Sequence, residues 1–210
     1  MNGSGFMEYM QAGGSIMWVI FVLSVIACGV VIERVVFMLG ASGDAEAVES
    51  AFGRAVAEGD LAGARAAATG RTSVHRLFTA AYTHWMIDGD NLKLLMEQQI
   101  RRELYRWERG MSLLDVIARV SPLLGLLGTV LGMVEMFQNL NLGGSVNAQT
   151  VTGGIWKALF TTVAGLTVAI PVIVAHGILS GRIDKEEEKL ERGADFLLRE
   201  HFRTTSGEEA

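Results

Sequence analysis

Three stretches of this chain are apolar over a length that suits a lipid bilayer: residues 15–32, 113–137 and 155–180. An α-helix rises about 1.5 Å per residue, so roughly 20 apolar residues cross the hydrocarbon layer. Each stretch therefore predicts a membrane-spanning helix. The first reads as a retained span rather than a cleaved leader. Residues 1–14 carry Glu8 and no Lys or Arg, whereas a signal peptide opens on a basic segment.

Between the first two spans the pattern changes. Residues 33–112 are rich in Ala, Glu and Arg and hold no proline, a composition that favours helix. Ala45–Ala57 and Leu61–Ala68 predict two short helices parted by a turn at Glu58-Gly59-Asp60. Thr72 or Ser73 caps a third, which runs to Trp85 and stops near Asp88-Gly89-Asp90. From Asn91, apolar residues at Leu92, Leu95, Met96, Ile100, Leu104, Trp107, Met111 and Leu114 keep a period near 3.6. That period predicts one continuous helix from Asn91 to about Phe137, half in water and half in lipid. The third span likewise continues through Arg182–Arg203, where charges alternate around an apolar face of Ile183, Leu190, Phe196–Leu198 and Phe202. Thr204–Ala210 is expected to be disordered. The fold class is all-α: three membrane helices, the second and third extended into a helical aqueous domain.

Lys and Arg near span ends set the orientation, because basic loops stay on the cytoplasmic side. None precedes the first span. Arg34 follows it, and Arg101, Arg102, Arg106, Arg109 and Arg119 lead into the second. The connector after the second span carries no charge, and Arg182, Lys185, Lys189 and Arg192 follow the third. This places residues 1–14 and 138–154 outside, in the periplasm of a bacterium, and residues 33–112 and 181–210 in the cytoplasm.

Composition agrees. Half of the 210 residues are hydrophobic and only 8% are aromatic, which suits a membrane protein with a sizeable aqueous part. A net charge of −5 with no run of Lys and Arg argues against a nucleic-acid partner. Cys28, the single cysteine, forms no disulfide within the chain and is expected to pack as a small apolar residue.

The second and third spans contain residues that a plain lipid anchor does not need. Both prolines, Pro122 and Pro171, lie there, with Thr129, Thr161 and Thr162. Gly125, Gly128 and Gly132 recur along the second span, and Gly165 sits among Ala158, Ala164 and Ala169 in the third. Small residues let helices approach closely. The pattern fits tight packing within one chain, and equally an oligomer whose helices surround a central element. Thr129 precedes Phe137 by eight residues, and Thr162 follows Ile155 by seven, so antiparallel spans bring them to one depth. A membrane threonine is often satisfied by the carbonyl one turn earlier. Two at one level also make a polar ring in an oligomer.

Charges near the span ends complete the inventory. Glu135 and Lys157 again match in depth, as an ion pair within or between subunits or as side chains snorkelling to the outer interface. Asp115 and Arg119, four residues apart, form a solvated pair at the inner mouth. Glu33-Arg34 is expected to anchor the first span at the head groups.

Catalytic patterns are missing from the sequence. His75, His84, His176 and His201 show no metal-ligand spacing, and there is neither a phosphate-binding glycine loop nor a nucleophile elbow. His176 reads as an interfacial side chain. The chain is expected to be no enzyme, to carry no cofactor or metal, and to draw any work it does from an energy source other than ATP.

The two late spans resemble a known signature pair. Pro122-Leu-Leu-Gly-Leu-Leu-Gly-Thr-Val130, followed by Gly132-Met133 and Phe137, is similar to the second-span signature of the MotA/TolQ/ExbB proton-channel family. Ala158-Leu-Phe-Thr-Thr-Val-Ala-Gly-Leu166, followed by Val168-Ala-Ile-Pro171, is similar to its third-span signature. The three-span layout matches the ExbB/TolQ branch, since the flagellar MotA branch has a fourth span. The resemblance implies a homo-pentamer in the bacterial inner membrane around a central pore. Its partner would be an ExbD/TolR-like single-span protein, two copies of which sit in that pore. A TonB- or TolA-like protein would carry the load, and the proton motive force would drive the machine. Thr129 and Thr162 fall on the family's pore-facing threonines. At Lys157 this chain departs from relatives, which often carry a glutamate there.

Overall fold

The sequence folds into helices throughout its described part, residues 14–141 and 148–208 of a computed structural model, with the side chains of 139–141, 148–151, 157 and 205–208 left out of the description. The helices are α1 (Gly14–Ala41), α2 (Ala45–Ala57), α3 (Leu61–Ala68), α4 (Ser73–Thr83), α5 (Gly89–Trp107), α6 (Met111–Asn141) and α7 (Ala148–Glu208). Stretches of α1, α6 and α7 are long and apolar enough to cross a membrane. The chain divides into two units. One comprises residues 1–32 and 110–178, the other residues 33–109 and 179–210.

The second of these units has the core of a water-soluble helical domain. Asp44 caps α2 by accepting from the Ala47 amide, Asp60 caps α3 through Ala62 and Gly63, and Asp88 caps α5 through Asp90. Each cap satisfies amides that have no partner inside the helix. Helix α2 buries Val48, Phe52 and Ala55, α4 buries Val74, Leu77, Phe78 and Ala81, and α5 buries Leu92, Met96 and Ile100. The far half of α7 closes this core with Leu190, Ala194 and Leu197. Phe52 is fully buried, with its ring 5.3 Å from Phe78 and 5.6 Å from Trp85.

Two carboxylates lie inside the same unit, each held by donors. Glu103, 2% exposed, accepts from Arg76 Nε at 2.9 Å and Nη2 at 2.7 Å, and from Gln99. Glu186, 1% exposed, accepts from the Ser73 hydroxyl and from Lys189. Buried charge is tolerated only when it is bonded in this way.

Several sequence expectations change here. The continuous helix from Asn91 to Phe137 is broken. Helix α5 ends at Trp107, and Gly110 turns the chain at φ +81°, a left-handed conformation that favours glycine. The apolar period runs through the break because Trp107, Met111 and Leu114 are all buried, and periodicity does not register a backbone turn. Arg34 does not reach for head groups. It is 2% exposed, pairs with Glu33, donates to the Arg106 carbonyl at 2.9 Å and lies 4.7 Å over the Phe37 ring. It thus occupies the negative C-terminal end of α5, where a cation is favoured. Helix α4 ends at Thr83, two residues before Trp85. Thr72 is its N-cap residue, but its hydroxyl pairs with His75 Nδ1 at 2.7 Å instead of capping. Helix α7 continues to Glu208 where disorder was expected from Thr204, and the Thr204 hydroxyl bonds the Glu200 and His201 carbonyls. Cys28 is exposed on α1, on the stripe that also shows Val25 and Ile32.

Candidate functional site

In the other unit, helices α6 and α7 meet along their small residues. A β-carbon built on Gly165 would stand 2.5 Å from the Ser121 carbonyl oxygen and 3.2 Å from the Gly125 Cα. One on Gly125 would stand 2.9 Å from the Thr161 carbonyl and 3.0 Å from the Thr162 Cα. The backbones touch where the two glycines face each other, and neither position has room for a side chain. Gly128 faces the Thr161 side chain and Gly132 faces Ala158, so the seam continues toward the outer end of α6. Without a hydrophobic drive between helices in lipid, close approach and hydrogen bonds supply the attraction. The large residues of both helices point away from the seam. Leu123, Leu126, Val163 and Ile170 are all more than half exposed in the chain.

The close approach brings three hydroxyls together. Thr129 Oγ1 and Thr162 Oγ1 are 2.5 Å apart. Thr162 also reaches the Gly125 carbonyl at 3.1 Å, and Thr129 reaches the Ala158 carbonyl at 3.2 Å. Thr161 bonds the Ala158 carbonyl at 2.7 Å and is 1% exposed, sealed against Gly128. Thr129 and Thr162 are half-buried and keep one side open. The carbonyls of Gly125 and Ala158 can take the hydroxyl protons, which leaves oxygen lone pairs on the open side. Such a surface accepts hydrogen bonds from water or from a protonated acid.

The remaining expected residues are spread around this pair. Ser121, fully buried, bonds the Ile117 carbonyl at 2.8 Å one turn before it. Its own carbonyl is the group nearest Gly165, a contact that small-residue spacing alone does not single out. Pro122 lies half-buried inside α6, and Pro171 lies exposed inside α7. Asp115 and Arg119 form the expected surface pair at 2.9 Å. Glu135 is exposed on α6, and the expected Glu135–Lys157 contact falls on a side chain outside the described residues. Among the described residues no group of His, Cys, Asp or Glu is placed to hold a metal ion.

Comparison with known proteins converges on one assignment. The model of the MotA/TolQ/ExbB proton channel family matches residues 70–192, which is more than half of the chain. The biopolymer transport protein exbB1 of Vibrio cholerae is 36% identical over 99 residues, 47% of this chain and 43% of that protein. The Tol-Pal system protein TolQ of Haemophilus influenzae is 37% identical over 93 residues, 44% of this chain and 41% of its own length. The biopolymer transport protein ExbB of Helicobacter pylori is 38% identical over 81 residues, 39% of this chain and 56% of that protein. In each case the match spans less than two thirds of the relative. With three membrane-length helices and a family match that includes both signature spans, this multi-pass membrane protein belongs to the MotA/TolQ/ExbB proton channel family, in its ExbB/TolQ branch.

Proposed function

We propose that the chain is the channel-side subunit of an inner-membrane stator that converts the proton motive force into work on the cell envelope. It acts with an ExbD/TolR-like single-span partner. Five copies surround a pore that holds two copies of the partner helix, and a TonB- or TolA-like protein carries the load. The N-terminus faces the periplasm and the C-terminus the cytoplasm. The observation that carries this reading is the half-open Thr129–Thr162 pair, fixed in place by the Gly125–Gly165 contact. Its outward lone pairs suit a carboxylic acid that arrives protonated on the partner, and its fixed geometry suits repeated passage. One charge crossing 100 mV gains about 2.3 kcal/mol, so each proton biases a small step and a strong grip needs several.

Replacing Thr162 by Ala tests the reading. Proton uptake into vesicles that hold the chain and its ExbD/TolR-type partner should fall at least tenfold, while the complex keeps its mass. A second reading, a non-conducting scaffold that only assembles the partner, draws on one observation: each of the three hydroxyls has an acceptor inside the chain. If Thr162→Ala leaves both proton uptake and partner-dependent work unchanged, the scaffold reading stands and the channel reading falls.

A further inference from the structure

We propose that copies of this chain contact one another through two complementary charged stripes, the basic stripe of α5 in one copy lying against the acidic stripe of α7 in the next. The inference rests on the oligomeric reading above and names the surfaces that would build it.

The stripes share one spacing. On α5, Gln98, Arg101, Arg102, Tyr105 and Arg109 are all exposed. On α7, Asp184, Glu188, Glu191 and Asp195 are exposed and Glu187 is half-buried. Both sets follow the order i, i+3, i+4, i+7 and i+11, so both make a stripe about 16 Å long on one helix face.

The charges on these stripes lack partners in the chain. Among the described residues none of the five carboxylates forms an ion pair. Arg102 and Arg109 form none either, and Arg101 has a loose 3.9 Å pair with Glu97. On α7 the pairs Asp184/Glu188, Glu187/Glu191 and Glu191/Asp195 place like charges four residues apart, which weakens a helix unless a counter-charge answers them. The other α7 cation near this level, Arg192, is engaged with Glu46 and Glu49.

An anchor lies within the basic stripe. Tyr105 is 79% exposed with Arg101 and Arg102 beside it, and these three with Gln98 border a shallow cavity of about 420 Å³. Exposed tyrosine flanked by arginine is the composition that interfaces favour over ordinary surface. The two stripes are different surfaces of one molecule. Pairing them is therefore a head-to-tail contact, the kind that closes into a ring.

Lipid head groups are the competing occupant of a basic stripe. They leave the acidic stripe unanswered, and a second copy answers both.

The test uses the full chain in detergent with Cys28→Ser and one new cysteine on each stripe, Tyr105→Cys and Glu188→Cys. A short bismaleimide should join position 105 of one copy to position 188 of another, while native mass spectrometry reports the size of the assembly. Adding Arg102→Glu or Glu191→Lys should lower the yield of this cross-link at least fivefold, and the two reversals together should restore it. Salt near 1 M should weaken it, because exposed charges are then screened within about 3 Å. An assembly of unchanged mass without the 105–188 cross-link overturns this inference and leaves the oligomeric reading intact. A wild-type chain that is monomeric overturns the oligomeric reading itself. If the basic reversal abolishes binding to anionic vesicles and leaves the cross-link unchanged, the stripe belongs to lipid and the inference is wrong.

Discussion

The two units of this molecule are packed by opposite rules. In the unit that contains α2 to α5, the large apolar side chains Phe52, Leu77, Phe78 and Leu92 are fully buried, and the exposed faces carry charge. In the unit that contains the α6–α7 seam, glycine, alanine, serine and threonine fill the contact, and Leu123, Leu126, Val163 and Ile170 face outward. The difference follows from the solvent. In water, removing apolar area stabilises a core by about 25 cal/mol per Å². In lipid that gain vanishes, and only close backbone approach and hydrogen bonds distinguish a contact from a lipid tail. The same small residues that hold the seam also put two hydroxyls within 2.5 Å of each other. Packing and candidate chemistry therefore share one set of atoms.

The sharpest way to break this contrast is a pair of substitutions of similar size. Phe52→Ala should cost about 3–5 kcal/mol, because it empties the centre of the aqueous core. Leu126→Ala should cost about 0.5 kcal/mol or less, as at a surface position. Thermal unfolding followed by tryptophan fluorescence reads both. Equal costs would mean that the apolar face of α6 is covered by another copy, which sharpens the comparison by naming a buried face.

A smaller effect is expected at the seam. Gly165→Ala places a β-carbon against the Ser121 carbonyl, and overpacking of this kind costs about 1–3 kcal/mol. It should also part Thr129 from Thr162. Cysteines at those two positions, in a chain without Cys28, should form a disulfide readily in the parent and poorly once Gly165 is changed. A fast disulfide in both would mean that the seam tolerates a methyl group and that the hydroxyls are held by something else.

The smallest effect concerns pH and the aqueous unit alone. Burial holds the His75 imidazole below its ordinary pKa of 6.5, because desolvation disfavours the charged ring. The unfolded chain then binds more protons than the folded one at and below that pH, so this residue's contribution to stability is complete above about 6.5 and is lost as pH falls. His75→Gln should flatten that part of the stability–pH curve between pH 7.5 and 5.5. An unchanged slope would assign it to other groups.

Much of the fold was legible in the sequence because its signals are local. The bounds of α2 and α3 came from a turn at Glu58-Gly59-Asp60 and from helix-favouring composition on either side of it. The common depth of Thr129 and Thr162 followed from counting residues along antiparallel spans. Glu103 shows where such counting stops. The apolar series placed Leu104 on the inner face of α5, whereas the buried stripe is Leu92, Met96, Ile100, Glu103 and Trp107. A carboxylate there looks solvated until Arg76, from another helix, supplies its partner.

The sequence by itself determined the three membrane-length helices, the all-helical class and the family, because apolar length and small-residue spacing are properties of consecutive residues. Only the tertiary structure decided that Gly110 ends one helix and starts another, that Arg34 turns inward to the end of α5, and that Thr161 is sealed while Thr129 and Thr162 stay half open. Each of these depends on groups distant in the chain, a carbonyl, a ring or a facing backbone, and helical periodicity carries no record of what lies on the other side of a contact.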